Sequence, residues 1–118
     1  MRDSEEQPTL RIQLGEQTLA LPAEIVREIA EPVAVTPVPG AAAAILGVGA
    51  HRGVPILVVD GRRLVQGPAA VARTGPGALV LCDVGGRRIG LEVDDVLGVG
   101  TAAGRWDLAA ALAPFFDG

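Results

Sequence analysis

The sequence predicts a mainly β fold, a small barrel or a pair of small barrels, and three observations carry that reading. Short runs of Val, Ile and Leu recur between turns rich in Gly and Pro, two pairs of these runs flank tight hairpin-type turns, and no segment repeats at a fixed period. Aromatic residues are only 3% of the chain, so the core must be aliphatic, and the β-branched residues crowd the middle, where they favour strands.

Residues 1–8 are polar and end in a proline, so they are expected to form a disordered lead-in to a single domain spanning 9–118. Leu10, Ile12 and Leu14 then alternate, "GEQ" turns the chain, and "TLALP" returns as the second arm of a first hairpin. In "PAEIVREIAEP", Pro22 suits a first helical turn and Ile25, Val26 and Ile29 fall at helical spacing, which predicts a helix stopped by Pro32. The proline-rich stretch from Pro32 to Gly40 reads as extended connection, and "AAAAIL" as one helical turn.

"AILGVGA" and "VPILVVD" flank "HRG", whose Gly53 is free to take positive φ, and so form a second hairpin. "QGPAAVARTGPG" has the composition of a loop. A third hairpin joins "ALVLCDV" to "RIGLEVDDVLGV" across Gly85-Gly86, with Ile89, Leu91 and Val93 on the buried face and Gly90, Glu92 and Asp94 on the wet one. The tail "RWDLAAALAPFFDG" has helix formers and carries Trp106, Phe115 and Phe116, all the aromatic residues of the chain.

With 118 residues the chain can bury one modest core, and at 49% hydrophobic and 20% charged residues it is too apolar to be disordered. A net charge of −4 disfavours nucleic acid as a partner. All ten basic residues are arginines. No window has the length of a membrane span and the N-terminus has no signal-peptide character, so no membrane insertion is expected and the cytoplasm is the expected location.

Cys82 stands alone, which excludes an internal disulfide and a zinc cluster and suits a buried packing residue. A hydrolase would have to assemble Cys82, His51 and Asp60, yet the last two are separated by an extended strand. Asp94-Asp95 alternate faces on a strand and read as solvated edge charges rather than metal ligands. "GVGAHRG" lacks the lysine and the following helix of a phosphate loop. No catalytic residue, metal or cofactor is therefore expected. Arg52, at a hairpin tip on a rigid scaffold, is left as a candidate recognition residue.

In order, "LPAEIVREI", "VTPVPG", "ILGVGAHRGVPILVVDGRRL" and "GGRRIGLEVDDVLGV" resemble the CheW family of chemotaxis coupling proteins over nearly all of Leu10 to Val99. The resemblance implies a pair of small SH3-like β-barrel lobes with short helical segments and no enzymatic activity. It implies a scaffold bridging the cytoplasmic tips of chemoreceptors to the regulatory domain of a CheA-type histidine kinase. By motif match, Val26, Glu28, Gly47 and Arg52 correspond to family positions implicated in coupling. Ala50-His51 replace an Asn-Leu pair of the family, and Gly61 stands in a leucine position.

The family continues past a segment like "FFDG" into a last strand and helix, so the second lobe is expected to be incomplete. The tail from Arg105 to Phe116 would then cover its open side, or the lobe would associate with a second copy or a partner through an open edge. Alternative functions are a CheW-like module serving another histidine kinase or signalling partner, and a small hydrolase using His51.

Overall fold

A computed structural model describes residues 7–71, 75–102 and 105–116. Among the described residues, eight strands form two sheets, accompanied by two short α-helices. Strands β1 (Gln7–Leu14) and β2 (Gln17–Pro22) make the first hairpin, in register from Thr9↔Pro22 to Leu14↔Gln17. With β8 (Asp95–Ala102) they form a three-stranded sheet of order β2-β1-β8. Pro8 lies opposite Thr101 within that sheet, so β1 begins inside the expected lead-in, of which residues 1–6 lie outside the described residues.

The other five strands are β3 (Val26–Ala30), β4 (Ile45–His51), β5 (Val54–Asp60), β6 (Ala78–Val84) and β7 (Arg87–Val93), in the order β3-β6-β7-β5-β4. Both expected hairpins are present, and their tips take the left-handed conformation on consecutive residues: Arg52 (φ 51°) and Gly53 (φ 79°), then Gly85 (φ 56°) and Gly86 (φ 79°). That is the twist-matched turn that two-residue β-hairpins favour. The pairing of β5 with β7 is parallel.

The predicted helix over "PAEIVREIAEP" is not formed. One 3-10 turn at Ala23–Ile25 follows Pro22, and the chain then extends as β3, paired antiparallel with β6. A helix confined between two prolines is too short to hold itself, whereas the edge of β6 offers a ready ladder to β-branched Val26 and Ile29. The exposure of Ile29, at 47%, shows that the helical spacing was fortuitous. "AAAAIL" forms no helix: Ala41 N–H closes one turn on Val38 O, Ile45 N–H closes another on Ala42 O, and Ile45 and Leu46 already belong to β4.

The five-stranded sheet curls until its far edges approach. Beyond β3, Thr36 exchanges two backbone hydrogen bonds of 2.9 Å with Val48 of β4. Gly47 makes that approach possible: at φ 144°, a Cβ there would lie 2.1 Å from the Thr36 carbonyl oxygen. Ile56, Val58, Leu79 and Leu81 fill the curled interior, with Val33, Val35 and Leu46 packed against them.

The larger core lies between the two sheets, where Leu10, Ile12, Leu14 and Leu21 meet Val59, Val80, Cys82, Ile89 and Leu91. The tail closes it. Helix α2 (Leu108–Phe116) buries Leu108 and Leu112, Trp106 and Phe116 pack on the same cluster, and Trp106 N–H donates to Ala20 O at 2.7 Å. The tail therefore covers the sandwich between the sheets and the outer edge of β2.

Two further elements depart from the sequence reading. Asp60 ends β5 but also caps helix α1 (Gly61–Gln66), its Oδ1 accepting from the amides of Arg62 (3.0 Å) and Arg63 (3.4 Å). Gly61 is obligatory there, because a Cβ would stand 2.7 Å from both the Glu92 carbonyl and Leu14. Asp94 is not a solvated edge charge. It ends the continuous strand expected from Arg88 to Val99, accepts from Arg62 Nε (3.0 and 2.9 Å) and from the Gly15 amide, and sends the chain from one sheet to the other.

Leu112 is fully buried, so Leu112→Ala should cost about 2 to 5 kcal/mol, read as a lower urea midpoint with an unchanged slope. An unchanged midpoint would show the tail to be dispensable. Gly47→Ala should cost at least about 2 kcal/mol, because strain at positive φ adds to the clash with Thr36, while Gly53→Ala, with open space around it, should cost less.

Candidate functional site

The "HRG" tip projects from the β4–β5 hairpin, and the curl of the sheet carries it over to β3. Arg52 Nη2 lies 2.9 Å from Glu28 Oε2, and His51 Nε2 lies 3.4 Å from the same oxygen without the alignment of a hydrogen bond. Glu28 and Arg52, 24 positions apart in sequence, thus form one surface cluster at the seam where the sheet's two edges meet. The Arg52 side chain is 75% exposed and that of Glu28 32%, whereas His51 is mostly covered at 18%.

Arg52 is the sole non-glycine residue at positive φ among the described residues. A left-handed conformation costs an L-residue roughly 1 to 2 kcal/mol, and Asn or Gly would relieve it. The exposed ion pair with Glu28 offsets at most about 1 kcal/mol of that. Folding alone therefore does not favour an arginine at this position. Strain held at an exposed, chemically capable side chain is a mark of a functional surface.

Val26 and Gly47 sit differently. Val26 pairs with Cys82 and packs against the larger core, where it sets the position of β3 and so of Glu28. Gly47 is buried in the backbone crossing with Thr36 described above, and it presents no side chain to a partner. Two of the four residues singled out in the sequence thus share a surface, and the other two hold that surface in shape. Sequence reasoning missed the pairing of Glu28 with Arg52, because it placed Glu28 on a helix. The short span between Pro22 and Pro32 was the available signal against a helix.

The hydrolase candidates do not converge. His51 lies at the tip of the β4–β5 hairpin, Asp60 caps α1 at the other end of β5, and Cys82 lies in the core. Burial, with a smaller contribution from neighbouring Asp83, pushes the Cys82 thiol up to about 12, which leaves it protonated and unreactive. Near it on the surface, Asp83 accepts from Arg88 and Arg27, and those hydrogen bonds hold its carboxyl below the usual range. No group of His, Cys, Asp and Glu among the described residues could hold a metal ion. No helix among them is long and apolar enough to cross a membrane.

Comparison with known proteins places this geometry. No curated protein matches the chain. The fold is similar to that of the scaffolding protein TtCheW from Thermoanaerobacter tengcongensis, with a TM-score of 0.71 and 24% sequence identity over 80% of this chain and 64% of that one. The chain thus spans somewhat under two thirds of the length of that protein, and the likeness is one of fold. Residues 8–103 match the CheW-like domain, and that match takes in both sheets, the "HRG" tip and Glu28. With that match covering most of its length, the chain belongs to the CheW-like domain family.

Proposed function

We propose that the protein is a non-enzymatic coupling scaffold, linking the cytoplasmic tip of a chemoreceptor to the regulatory domain of a CheA-type histidine kinase in the cytoplasm. Membership of the CheW-like family supports the class of function, and the Arg52–Glu28 surface supports the manner of binding. That surface is the observation that carries the reading. An exposed guanidinium in a strained tip, steadied on one side by a carboxylate, keeps donors free for a partner's carboxylate or carbonyl groups.

Glu28 has two roles in this reading. In the free protein it orients Arg52. In a complex it becomes an acceptor for a partner amide or cation as the arginine turns outward. Val26 and Gly47 contribute through the placement of β3 and β4, so their substitution acts on the shape of the surface rather than on a contact.

Arg52→Ala should weaken capture of the kinase regulatory domain, the receptor tip or both by about 2 to 4 kcal/mol, while the melting temperature changes little. Arg52→Lys should recover only part of the loss, because an ammonium cannot reproduce the planar fork of donors. Calorimetry or surface plasmon resonance against the organism's receptor cytoplasmic domains and histidine kinases measures both. Unchanged binding of a folded Arg52→Ala protein to every such partner would remove Arg52 from the interface.

The scaffold reading also predicts an inert thiol. With its pKa at about 12, Cys82 in the folded protein should resist iodoacetamide at pH 8 and be labelled once urea unfolds the chain. Rapid labelling under native conditions would show an accessible thiolate, and would reopen nucleophilic chemistry.

A further inference from the structure

His51 carries a ring nitrogen that the fold leaves unsatisfied. Its Nε2 is buried and makes no hydrogen bond, although the side chain as a whole is 18% exposed. A buried polar atom without a partner is unfavourable and calls for a reason. Across the seam, Glu28 Oε2 stands 3.4 Å away, within ion-pair reach but outside the alignment of a hydrogen bond.

That oxygen is already in use. Arg52 Nη2 lies 2.9 Å from it, so a single carboxylate oxygen faces one permanent cation and one side chain that becomes a cation on protonation. The two are held differently. The imidazole is largely covered, on the last residue of β4, where the backbone pairs with Val54 of β5, whereas the Arg52 side chain is 75% exposed. A covered charge loses more by going unpaired than one that water solvates, so a charged His51 has the stronger hold on Glu28.

The surrounding elements bring no other charge to this pair. Arg27 of β3 is engaged by Asp83 of β6, and Glu31, exposed beyond β3, makes no ion pair among the described residues. The remainder of β4 is uncharged, and β5 carries no charge until Asp60, at its far end on the cap of α1.

We propose that His51 is a positioning residue for Arg52 and makes the coupling surface sensitive to protons: the charged ring closes onto Glu28 as an ion pair and turns Arg52 outward. The proton comes from solvent and rests on the imidazole, so both ring nitrogens carry hydrogen and Nε2–H donates to Glu28 Oε2. Glu28 and Arg52 cancel while His51 is neutral, and its protonation leaves the three side chains with a net positive charge. A carboxylate of a partner then meets a guanidinium no longer shared with Glu28, so acid strengthens capture. This consequence for binding rests on the coupling function proposed above, whereas the rearrangement belongs to the free protein.

The first test uses the free full chain. Side-chain NMR follows the His51 ring, the Glu28 carboxylate and Arg52 Nε between about pH 5.5 and 8, the range in which imidazole ordinarily changes charge. In the wild type the Glu28 and Arg52 signals should move with the ring in one transition, and in His51→Gln neither should show it. In Glu28→Gln the ring should titrate while the Arg52 signal stays still. Glu28 and Arg52 signals that ignore the ring in the wild type overturn the proposal. So does an Arg52 signal that follows the ring equally in Glu28→Gln, since His51 would then not act through Glu28.

The second test measures affinity, at both ends of that pH range, for the receptor cytoplasmic domain or kinase regulatory domain whose binding Arg52→Ala weakens. The ratio of acid-end to alkaline-end affinity should be about three- to fivefold higher for the wild type than for His51→Gln, in which only other groups of the chain and the partner titrate. Equal ratios overturn the proposal. Should circular dichroism show that His51→Gln fails to fold, Glu28→Gln gives the same comparison. If Arg52→Ala weakens binding to no partner, the coupling function fails, and NMR of the free chain still decides whether His51 positions Arg52.

Discussion

The two sheets keep one orientation because of Asp94. It is the single residue between β7 and β8, and so the point where the chain leaves one lobe for the other. Its carboxylate takes the Arg62 guanidinium and the Gly15 amide, and its own N–H reaches the Gln13 carbonyl at 2.9 Å. Helix α1, the β1–β2 turn and the crossover are thereby tied at one place. The side chains of Arg62 and Asp94 are only 20% and 15% exposed, so removal of either would strand a largely desolvated charge. Capping by Asp60 aims Arg62 at this point, and the absent side chain of Gly61 lets α1 come close enough.

The functional surface depends on a second closure of the same kind. Curling of the five-stranded sheet brings β4 beside the chain that follows β3, and two backbone hydrogen bonds at Thr36 and Val48 hold the seam. A side chain at residue 47 would wedge it open. Glu28 and Arg52 face each other only because the seam is shut, so a residue with no contact surface of its own governs one that has such a surface.

Much of the strand pattern was legible in the sequence because hairpins are local. Gly85-Gly86 and Arg52-Gly53 sit between alternating or continuous apolar runs, and the twist of a two-residue turn leaves little choice of pairing. Two of the misreadings concern residues whose partners are distant. Ile25, Val26 and Ile29 fit helical spacing, but the segment is too short for that spacing to hold a helix, and the edge of β6 decided for a strand. Asp94-Asp95, on alternate faces of a strand, read as solvated charges, and only the presence of Arg62 from another element made Asp94 a largely covered partner. Asp60 followed by Gly61 carried a capping signal, hidden by the strand that it ends.

The sequence by itself determined the aliphatic β composition, the three hairpins, an inert Cys82 and the family to which the chain belongs, because each rests on local pattern or on the order of segments. Tertiary structure alone decided that β3 is a strand, that β5 and β7 run parallel, and that Glu28 meets Arg52. It also decided that the tail guards β2. Those outcomes depend on which edges come within hydrogen-bonding distance once two apolar faces are buried together, and proximity of that kind has no local signature in the chain.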